Sequence, residues 1–443
     1  ANPAIPPKFR DFKKYFYFSV ILLNLLLACK KEKDKLPPVI IISTPAENQP
    51  FNINENIHLT GTITDESDIT NATVNLLNEQ GLPVHVTLPI QITSSPLGID
   101  VRYALDNIHL ESGYYKICIF ASDGNRDAYA YRRIQIIGVS KVVSKILVTT
   151  IGNSMQTNLS YVDTASGLLS PLAAFSGDHL ASATDSYFQR FIHCGKSTGH
   201  FTGVDIGSKA VVFDVAPVIS PPMPYFTGFH RSSTNYYVAA YNEQIKGYDP
   251  GGNVIYNAKQ RSGYYAQHMC MNGVQLISEE RHKITADKKL VCYYETGVAR
   301  QSANLVQDVI SFCEKDNTHV FVFGNKAGQG VIQLYDRNTN NLWDPYPYAL
   351  ATGSILCVLK LDADTYLIAH SNGSIYKYVY STSSVTPYLN GYTTVQLIKE
   401  ELANVLYVVE KNKISRFEFP GLKQLSPINS SEEIVDLNFL YNR

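Results

Sequence analysis

Seven of the eight histidines in residues 139–443 are the side chains best suited to metal binding or acid–base catalysis. They are His193, His200, His230, His268, His282, His319 and His370. The chain has no H-E-x-x-H or P-loop motif that would fix a reaction type. A lone histidine is more often a hydrogen-bonded structural residue than a ligand. The sequence therefore predicts no catalytic residue, no metal and no cofactor, and it predicts a solvated loop for the densest charged run, Glu279 to His282.

Aromatic residues beside prolines and glycines are the stronger candidates for a binding surface. Tyr and Trp offer a large contact area with a polar edge, which suits the binding of a protein or a sugar. We predict that these residues lie in loops on one face of the C-terminal region, or alternatively that they pack the junctions between its repeats. The candidates are Tyr225, Phe226, Tyr264, Tyr265, Trp343, Tyr346, Tyr348, Tyr388 and Tyr392.

Six cysteines follow Cys29, and they are widely spaced in apolar, strand-like segments. The chain has no C-x-x-C motif, so a zinc site is poorly supported. We predict buried free thiols that act as small apolar side chains. The alternative is one bridge between neighbouring strands, either Cys270–Cys292 or Cys292–Cys313, which an oxidising compartment would permit.

Residues 139–443 contain strands and turns with a period of about 40–45 residues, the range of propeller blades. The clearest pairs of strands are at 236–248, 319–336, 365–378 and 405–417, where apolar runs alternate with Gly and Asn turns. Counting gives seven units, at about 142–176, 178–215, 225–260, 264–300, 306–345, 354–390 and 393–426. One further strand, Glu433 to Leu440, would complete the first unit and close the ring.

This segment resembles a seven-bladed β-propeller of the broad WD40/YVTN-like kind, with the last strand closing the first blade. The resemblance rests on the cadence of the strands, because a WD dipeptide occurs only once, at Trp343-Asp344, and six or eight blades remain alternatives. It implies an all-β domain in which neighbouring blades pack face to face. It also implies two classes of function, either a binding scaffold or an enzyme such as a polysaccharide lyase, a hydrolase or a quinone-type dehydrogenase.

Residues 39–138 contain about seven short strands, the number expected for a small β-sandwich. The segments 112–115 and 121–125 resemble the last two strands of bacterial Ig-like and cadherin-like modules. We predict an N-terminal Ig-like β-sandwich that serves as a spacer. Five acidic residues could bind Ca²⁺ or could instead cap turns: Asp65, Glu66, Asp68, Asp123 and Asp127.

The N-terminus has the parts of an export signal in order. A basic segment at 8–14 precedes an almost wholly apolar run at 15–27, which is too short to span a membrane permanently. Leu26-Leu27-Ala28-Cys29 resembles the lipobox of bacterial lipoproteins, which implies that residues 1–28 are a signal peptide and that Cys29 carries lipid. A signal without lipidation and a short anchor are the alternatives. Residues 29–38 are charged and proline-rich, so we expect a solvated tether.

The charge balance argues against nucleic acid as a partner. The chain has 38 Lys and Arg against 39 Asp and Glu, and residues 1–28 hold four positive charges and one negative, so their removal moves the net charge from −1 to −4. We therefore predict an outer-membrane lipoprotein, on the periplasmic or the cell-surface side, that binds an envelope protein or a glycan. The oligomeric state is left open.

Overall fold

The structure is a computed structural model that describes residues 36–93, 96–152, 156–163, 166–217, 224–285, 287–350 and 353–443. The predicted signal peptide, Cys29 and all but the last three residues of the predicted tether lie outside the described residues. All elements of regular secondary structure in the described residues are β-strands. These residues contain no helix that is long and apolar enough to cross a membrane. The chain divides into two compact units, and the second begins at Lys141.

The first unit consists of two sheets that share one hydrophobic core. Its strands are β1 (Val39–Thr44), β2 (Gln49–Asn52), β3 (Asn56–Thr64), β4 (Asn71–Leu77), β5 (Leu88–Pro89), β6 (Leu97–Ala104), β7 (Gly113–Ser122) and β8 (Asp127–Ile137). One sheet has the order β1-β3-β6, and the other has the order β2-β8-β7-β4-β5. Alternate residues of the long strands point inward, as Ile117 and Ile119 do on β7, and these buried residues form the core.

In two of the acidic turns considered for calcium, an aspartate side chain caps backbone amides of the turn. Oδ1 of Asp123 accepts hydrogen bonds from the amides of Asn125 and Arg126, both at 2.6 Å. Oδ1 of Asp65 accepts a hydrogen bond from the amide of Ser67 at 3.3 Å. Both contacts are typical of Asx turns. In the part of the chain that the structure describes, no group of three His, Cys, Asp or Glu residues could hold a metal ion.

The described residues of the second unit form seven four-stranded antiparallel sheets, which we number 1 to 7 along the chain. Sheet 1 contains β9 (Val143–Ile151), β10 (Thr157–Val162), β11 (Leu169–Phe175) and β36 (Glu433–Tyr441). Sheet 2 contains β12 (Ala181–Asp185), β13 (Arg190–Cys194), β14 (Phe201–Asp205) and β15 (Val211–Val215). Sheet 3 contains β16 (Phe226–Ser232), β17 (Asn235–Ala240), β18 (Gln244–Tyr248) and β19 (Val254–Lys259).

The remaining four sheets repeat the same up-and-down order. Sheet 4 contains β20 (Tyr264–Asn272), β21 (Gln275–His282), β22 (Lys288–Tyr293) and β23 (Ala299–Leu305). Sheet 5 contains β24 (Asp308–Glu314), β25 (His319–Lys326), β26 (Gln329–Asp336) and β27 (Asn341–Leu350). Sheet 6 contains β28 (Ile355–Lys360), β29 (Thr365–His370), β30 (Ser374–Val379) and β31 (Ser384–Asn390). Sheet 7 contains β32 (Thr394–Glu400), β33 (Val405–Glu410), β34 (Lys413–Glu418) and β35 (Lys423–Asn429).

The sheets form a closed ring, which is the arrangement of a β-propeller. The first strands of sheets 3 to 7 contact one another in order, and the last strand of the chain, β36, contacts both β32 and β12. Sheets 2 and 3 share a hydrophobic cluster that contains Ile192 and Val238. As predicted, β36 pairs with β9 and completes sheet 1. The ring is therefore closed by a strand from the opposite end of the unit.

Six of the seven innermost strands carry a β-bulge at the same place, near the start of the strand. The register shifts lie at 226/228, 266/268, 309/311, 355/357, 394/396 and 434/436. At the first of these, Thr227 donates its hydroxyl to the carbonyl of Ala266 on the next sheet at 2.6 Å. A Cβ on Gly228 would lie 2.6 Å from the carbonyl oxygen of Gln267. The bulges turn side chains toward the neighbouring sheet, and glycine allows the two backbones to approach.

Candidate functional site

The first predicted aromatic pair is buried rather than exposed. Tyr225 and Phe226 stand at the start of β16, and their ring centroids are 4.9 Å apart. Both belong to the hydrophobic cluster between sheets 2 and 3. Gly199 lies against the Tyr225 ring, because a Cβ there would be 2.3 Å from Cδ1. This pair therefore packs a junction between sheets, which was the alternative interpretation of the aromatic residues.

The second predicted pair lies at the start of β20 and is only partly exposed. The ring centroids of Tyr265 and Tyr241 are 5.1 Å apart. The Tyr264 hydroxyl donates to Asp287, and its ring meets His282 edge-on at 4.9 Å. These contacts fix both tyrosines against side chains of sheets 3 and 4.

The prediction of loops is wrong for four of the other aromatic residues, which lie in the outermost strands of sheets 5 and 6. Trp343, Tyr346 and Tyr348 lie in β27, and Tyr388 lies in β31. Of the nine candidates, Tyr348 is the one that is mostly exposed, at 70%.

The nine aromatic residues do not converge on one surface. Trp343 and Tyr346 pack against the cluster between sheets 5 and 6. Tyr388 and Tyr392 pack against the cluster between sheets 6 and 7, where the Tyr392 ring meets Phe417 at 5.8 Å. With Tyr225 and Phe226, six of the nine predicted binding residues are divided among three separate clusters.

The prediction of a solvated loop for Glu279 to His282 is wrong, because these residues form the end of β21, the second strand of sheet 4. The side chain of Glu279 is fully buried and faces sheet 5. Its carboxylate accepts hydrogen bonds from His268 Nδ1 at 2.8 Å and from Arg281 Nε at 2.9 Å. Arg281 also contacts Asp308 at 3.1 Å, which extends the network across the junction between the two sheets.

Glu280 is also fully buried, but it faces the apolar cluster between sheets 3 and 4. Tyr293 donates its hydroxyl to Oε1 of Glu280, and Oε2 has no hydrogen-bond partner among the described residues. Burial raises the pKa of this carboxyl above its ordinary value. Glu280 is therefore not a surface charge, and its ionisation at high pH destabilises the fold.

A row of polar side chains crosses one face of sheet 2. Ser182 on β12 pairs with His193 on β13, His193 pairs with Thr202 on β14, and Thr202 pairs with Asp214 on β15. Directly paired residues of antiparallel strands project from the same face of the sheet. Phe175 at the end of sheet 1 stacks on the His193 ring at a centroid distance of 4.5 Å, so this face meets sheet 1.

The inner end of this row is joined to the closing strand of sheet 1. Asp436 accepts hydrogen bonds from the backbone amide and the hydroxyl of Ser182, at 3.0 and 2.7 Å. The carboxylate also accepts a hydrogen bond from Gln396 Nε2 of sheet 7 at 2.9 Å, and His179 Nε2 lies 3.6 Å away. Asp436 thus links three sheets at the point where the ring closes.

The outer end of the row lines a cavity of about 590 Å³ between sheets 1 and 2. Its walls are formed by Ala174, Phe175, Ser176, His193, Thr198, His200, Thr202, Val211, Asp214 and Pro217. His193 is only 2% exposed, yet its Nε2 has no hydrogen-bond partner among the described residues. The Thr198 hydroxyl is also buried and also has no hydrogen-bond partner among the described residues. We call this cavity the seam cavity.

The seam cavity combines an uncharged imidazole at its buried end with one carboxylate at its outer end. Burial, reinforced by the nearby His179, lowers the pKa of His193 to about 3, so its imidazole is uncharged at neutral pH. Asp214 is the one carboxylate of the wall, and it accepts hydrogen bonds from His200 Nδ1 at 3.0 Å and from Thr202 Oγ1 at 2.9 Å. The named walls include no lysine or arginine.

The seam cavity could not be identified from the sequence. His193 and His200 were among the histidines considered, but nothing in the sequence joined them to Phe175, Thr198 or Asp214. A signal was nevertheless present, because polar residues interrupt otherwise apolar strands at 193, 202 and 214. Only the register between the strands of sheet 2 places them in one row.

No protein-family model matches the chain, and no curated protein matches it significantly. Solved structures do resemble it. A protein from Lactobacillus plantarum is 13% identical over 68% of this chain and 100% of its own, with a TM-score of 0.50. A quinoprotein alcohol dehydrogenase-like protein from Bacteroides thetaiotaomicron is 14% identical over 92% and 100%, with a TM-score of 0.45. The WD40 β-propeller domain of Doa1 is 12% identical over 60% and 88%, with a TM-score of 0.46. At these identities the likeness concerns the fold alone.

Proposed function

We propose that this protein is a membrane-tethered lipoprotein outside the cytoplasm, and that its propeller recognises an envelope protein or a glycan. The observation that carries the recognition role is the seam cavity, where two buried polar groups beside an aromatic ring have no hydrogen-bond partner among the described residues. Buried polar groups in folded proteins are almost always hydrogen-bonded, so an unpartnered pair at a cavity is a place for a ligand.

The architecture supports a display role for the two units. Seven four-stranded sheets in a closed ring are what a seven-bladed propeller requires. The two sheets of the first unit and their eight strands suit an Ig-like spacer between the tether and the propeller. In this proposal Cys29 carries the lipid and the outer membrane holds the protein.

The tether is tested by fractionating cells that express the full chain or Cys29→Ala. We expect the wild-type protein in the outer-membrane fraction and the variant in soluble form, because no other described segment could span the bilayer as a helix. Equal membrane retention of both proteins would contradict lipid anchoring at Cys29.

The recognition role is tested by quantitative affinity capture from envelope extract, with both proteins and polysaccharides analysed. Val211→Trp should block the seam cavity, because Val211 begins the outermost strand of sheet 2 and is 61% exposed. Val254→Trp is the matched control, since Val254 begins the outermost strand of sheet 3 and is 56% exposed. A ligand that the control retains and Val211→Trp loses would support the proposal. Turnover of a polysaccharide by the purified chain would favour an enzyme instead.

A further inference from the structure

We propose that the seam cavity binds one neutral sugar unit of a glycan chain. This inference rests on the proposed recognition function and specifies its ligand. Four properties of the cavity favour such a ligand: its size, its unpartnered polar groups, its aromatic wall and its charge.

The size is suitable for a ligand larger than a few waters. Sites for small molecules are clefts of roughly 300–1,000 Å³, and the seam cavity has about 590 Å³. It lies between sheets 1 and 2 and opens to solvent, since wall residues such as Val211 and His200 are exposed. A sugar unit within a longer chain could therefore enter from the side.

The two unpartnered groups, buried in residues of the cavity wall, suit a ligand that can both donate and accept hydrogen bonds. A neutral imidazole presents either an N–H or a lone pair at Nε2, and the Thr198 hydroxyl can do both. A sugar hydroxyl is also both donor and acceptor, so it matches His193 in either tautomer. The adjacent hydroxyls of Ser176 and Thr202 add further groups of the same kind to the wall.

The aromatic wall provides the other half of the match. Phe175 lines the cavity, and its ring stacks on the His193 ring. The two ring centroids are 4.5 Å apart, and the interplanar angle is 16°. A pyranose has apolar C–H faces and a polar hydroxyl rim, which suits a surface of one ring surrounded by hydrogen-bonding groups. Ala174 and Pro217 extend the apolar part of the wall.

The charge of the wall selects a neutral sugar over an acidic one. Among the described residues of the wall, Asp214 supplies a carboxylate and none is a lysine or arginine. Both oxygens of Asp214 already accept hydrogen bonds from His200. An anionic sugar would therefore enter next to a like charge, without a cation to offset its desolvation.

The test is titration calorimetry of the full chain with defined oligosaccharides. The probes are maltohexaose, cellohexaose, xylohexaose and mannohexaose as neutral ligands, and hexagalacturonate as the acidic comparison. We expect at least one neutral probe to bind and the acidic probe to give no heat. Thr198→Val removes one hydroxyl at nearly constant shape and should weaken binding about 3- to 10-fold. Val211→Trp should abolish binding, and Val254→Trp should leave it unchanged.

The outcomes separate this inference from the function on which it rests. Binding of hexagalacturonate alone, or undiminished binding by Val211→Trp, would overturn the neutral-sugar site. If no oligosaccharide binds but affinity capture yields a protein that Val211→Trp loses, the recognition function stands and the sugar inference fails. If neither experiment yields a ligand sensitive to Val211→Trp, both proposals fail.

Discussion

The carboxylate of Asp436, on the last strand of the chain, accepts hydrogen bonds from both the amide and the hydroxyl of Ser182 at 3.0 and 2.7 Å. This contact joins residues 254 positions apart and fixes sheet 1 to sheet 2. The other Asp436 oxygen accepts a hydrogen bond from Gln396 of sheet 7. A single side chain therefore holds both neighbours of the sheet that closes the ring.

We predict that Asp436→Ala destabilises the propeller by about 2–3 kcal/mol, because the substitution leaves the Ser182 and Gln396 donors without their acceptor. Asp436→Asn keeps one acceptor oxygen and should cost less. Urea unfolding followed by tyrosine fluorescence measures both values. A loss below about 0.5 kcal/mol for Asp436→Ala would show that the closing strand is held by its backbone pairing alone.

Glu279 should be among the most sensitive charged positions in the chain. Glu279→Ala leaves Arg281 and His268 without the buried carboxylate that they contact, and breaking such a network costs about 3–5 kcal/mol. The matched control is Glu401→Ala, which removes the exposed partner of Lys399 and should change stability by less than about 1 kcal/mol. Similar losses in the two variants would contradict the buried network.

At the neighbouring residue, Glu280, loss of the carboxylate should raise the stability of the fold rather than lower it. The pKa of this carboxyl is raised by burial, so the folded state resists its ionisation and loses stability as the pH rises above the ordinary value for glutamate. Glu280→Gln removes this penalty, and we expect a higher melting temperature whose gain increases between pH 5 and pH 8. Glu418→Gln, at an exposed ion pair, should show no such trend.

The regular part of this fold could be predicted because each strand alternates locally and each turn has its own signal. The predicted unit at 225–260 matches the strands from Phe226 to Lys259, and the closing strand at 433–440 is confirmed. Both predictions need only period-two patterns and the count of strands in each repeat.

The errors arose where sequence could not tell which neighbour a strand meets. The segment from Trp343 to Tyr348 contains Pro345 and Pro347, which indicated a loop, but an outermost strand tolerates proline because its free edge needs no donor. Glu279 and Glu280 were predicted to be exposed to solvent. Their partners, His268 and Tyr293, come from other strands and could not be identified from the sequence. The seam cavity likewise depends on cross-strand register.

The six cysteines that the structure describes are free thiols, five of them buried, as the sequence predicted. Burial raises the pKa of Cys313 to about 11 and that of Cys357 to about 12, which suppresses the reactive thiolate. In a Cys29→Ser background, we expect almost no reaction with Ellman's reagent at pH 8 in the native state. Guanidinium should release six thiols. Four would instead indicate one disulfide, such as Cys270–Cys292.

His230 should make the propeller sensitive to mild acid. Burial lowers its pKa to about 4, and its Nε2 accepts a hydrogen bond from the Met271 amide at 3.1 Å, which only an unprotonated nitrogen can do. The unfolded chain takes up this proton below about pH 6.5 and the folded chain only near pH 4, so stability falls as the pH drops through that window. At pH 5 the loss from this residue is about 2 kcal/mol.

The variant His230→Gln retains an acceptor for the Met271 amide but cannot titrate. We expect it to reduce the loss of unfolding free energy between pH 7 and pH 5 by about 2 kcal/mol relative to the wild-type protein. His58→Gln is the control, because His58 lies at an exposed ion pair with Asp100 in the first unit. If both variants retain the wild-type pH dependence, protonation of His230 does not limit the acid stability of the propeller.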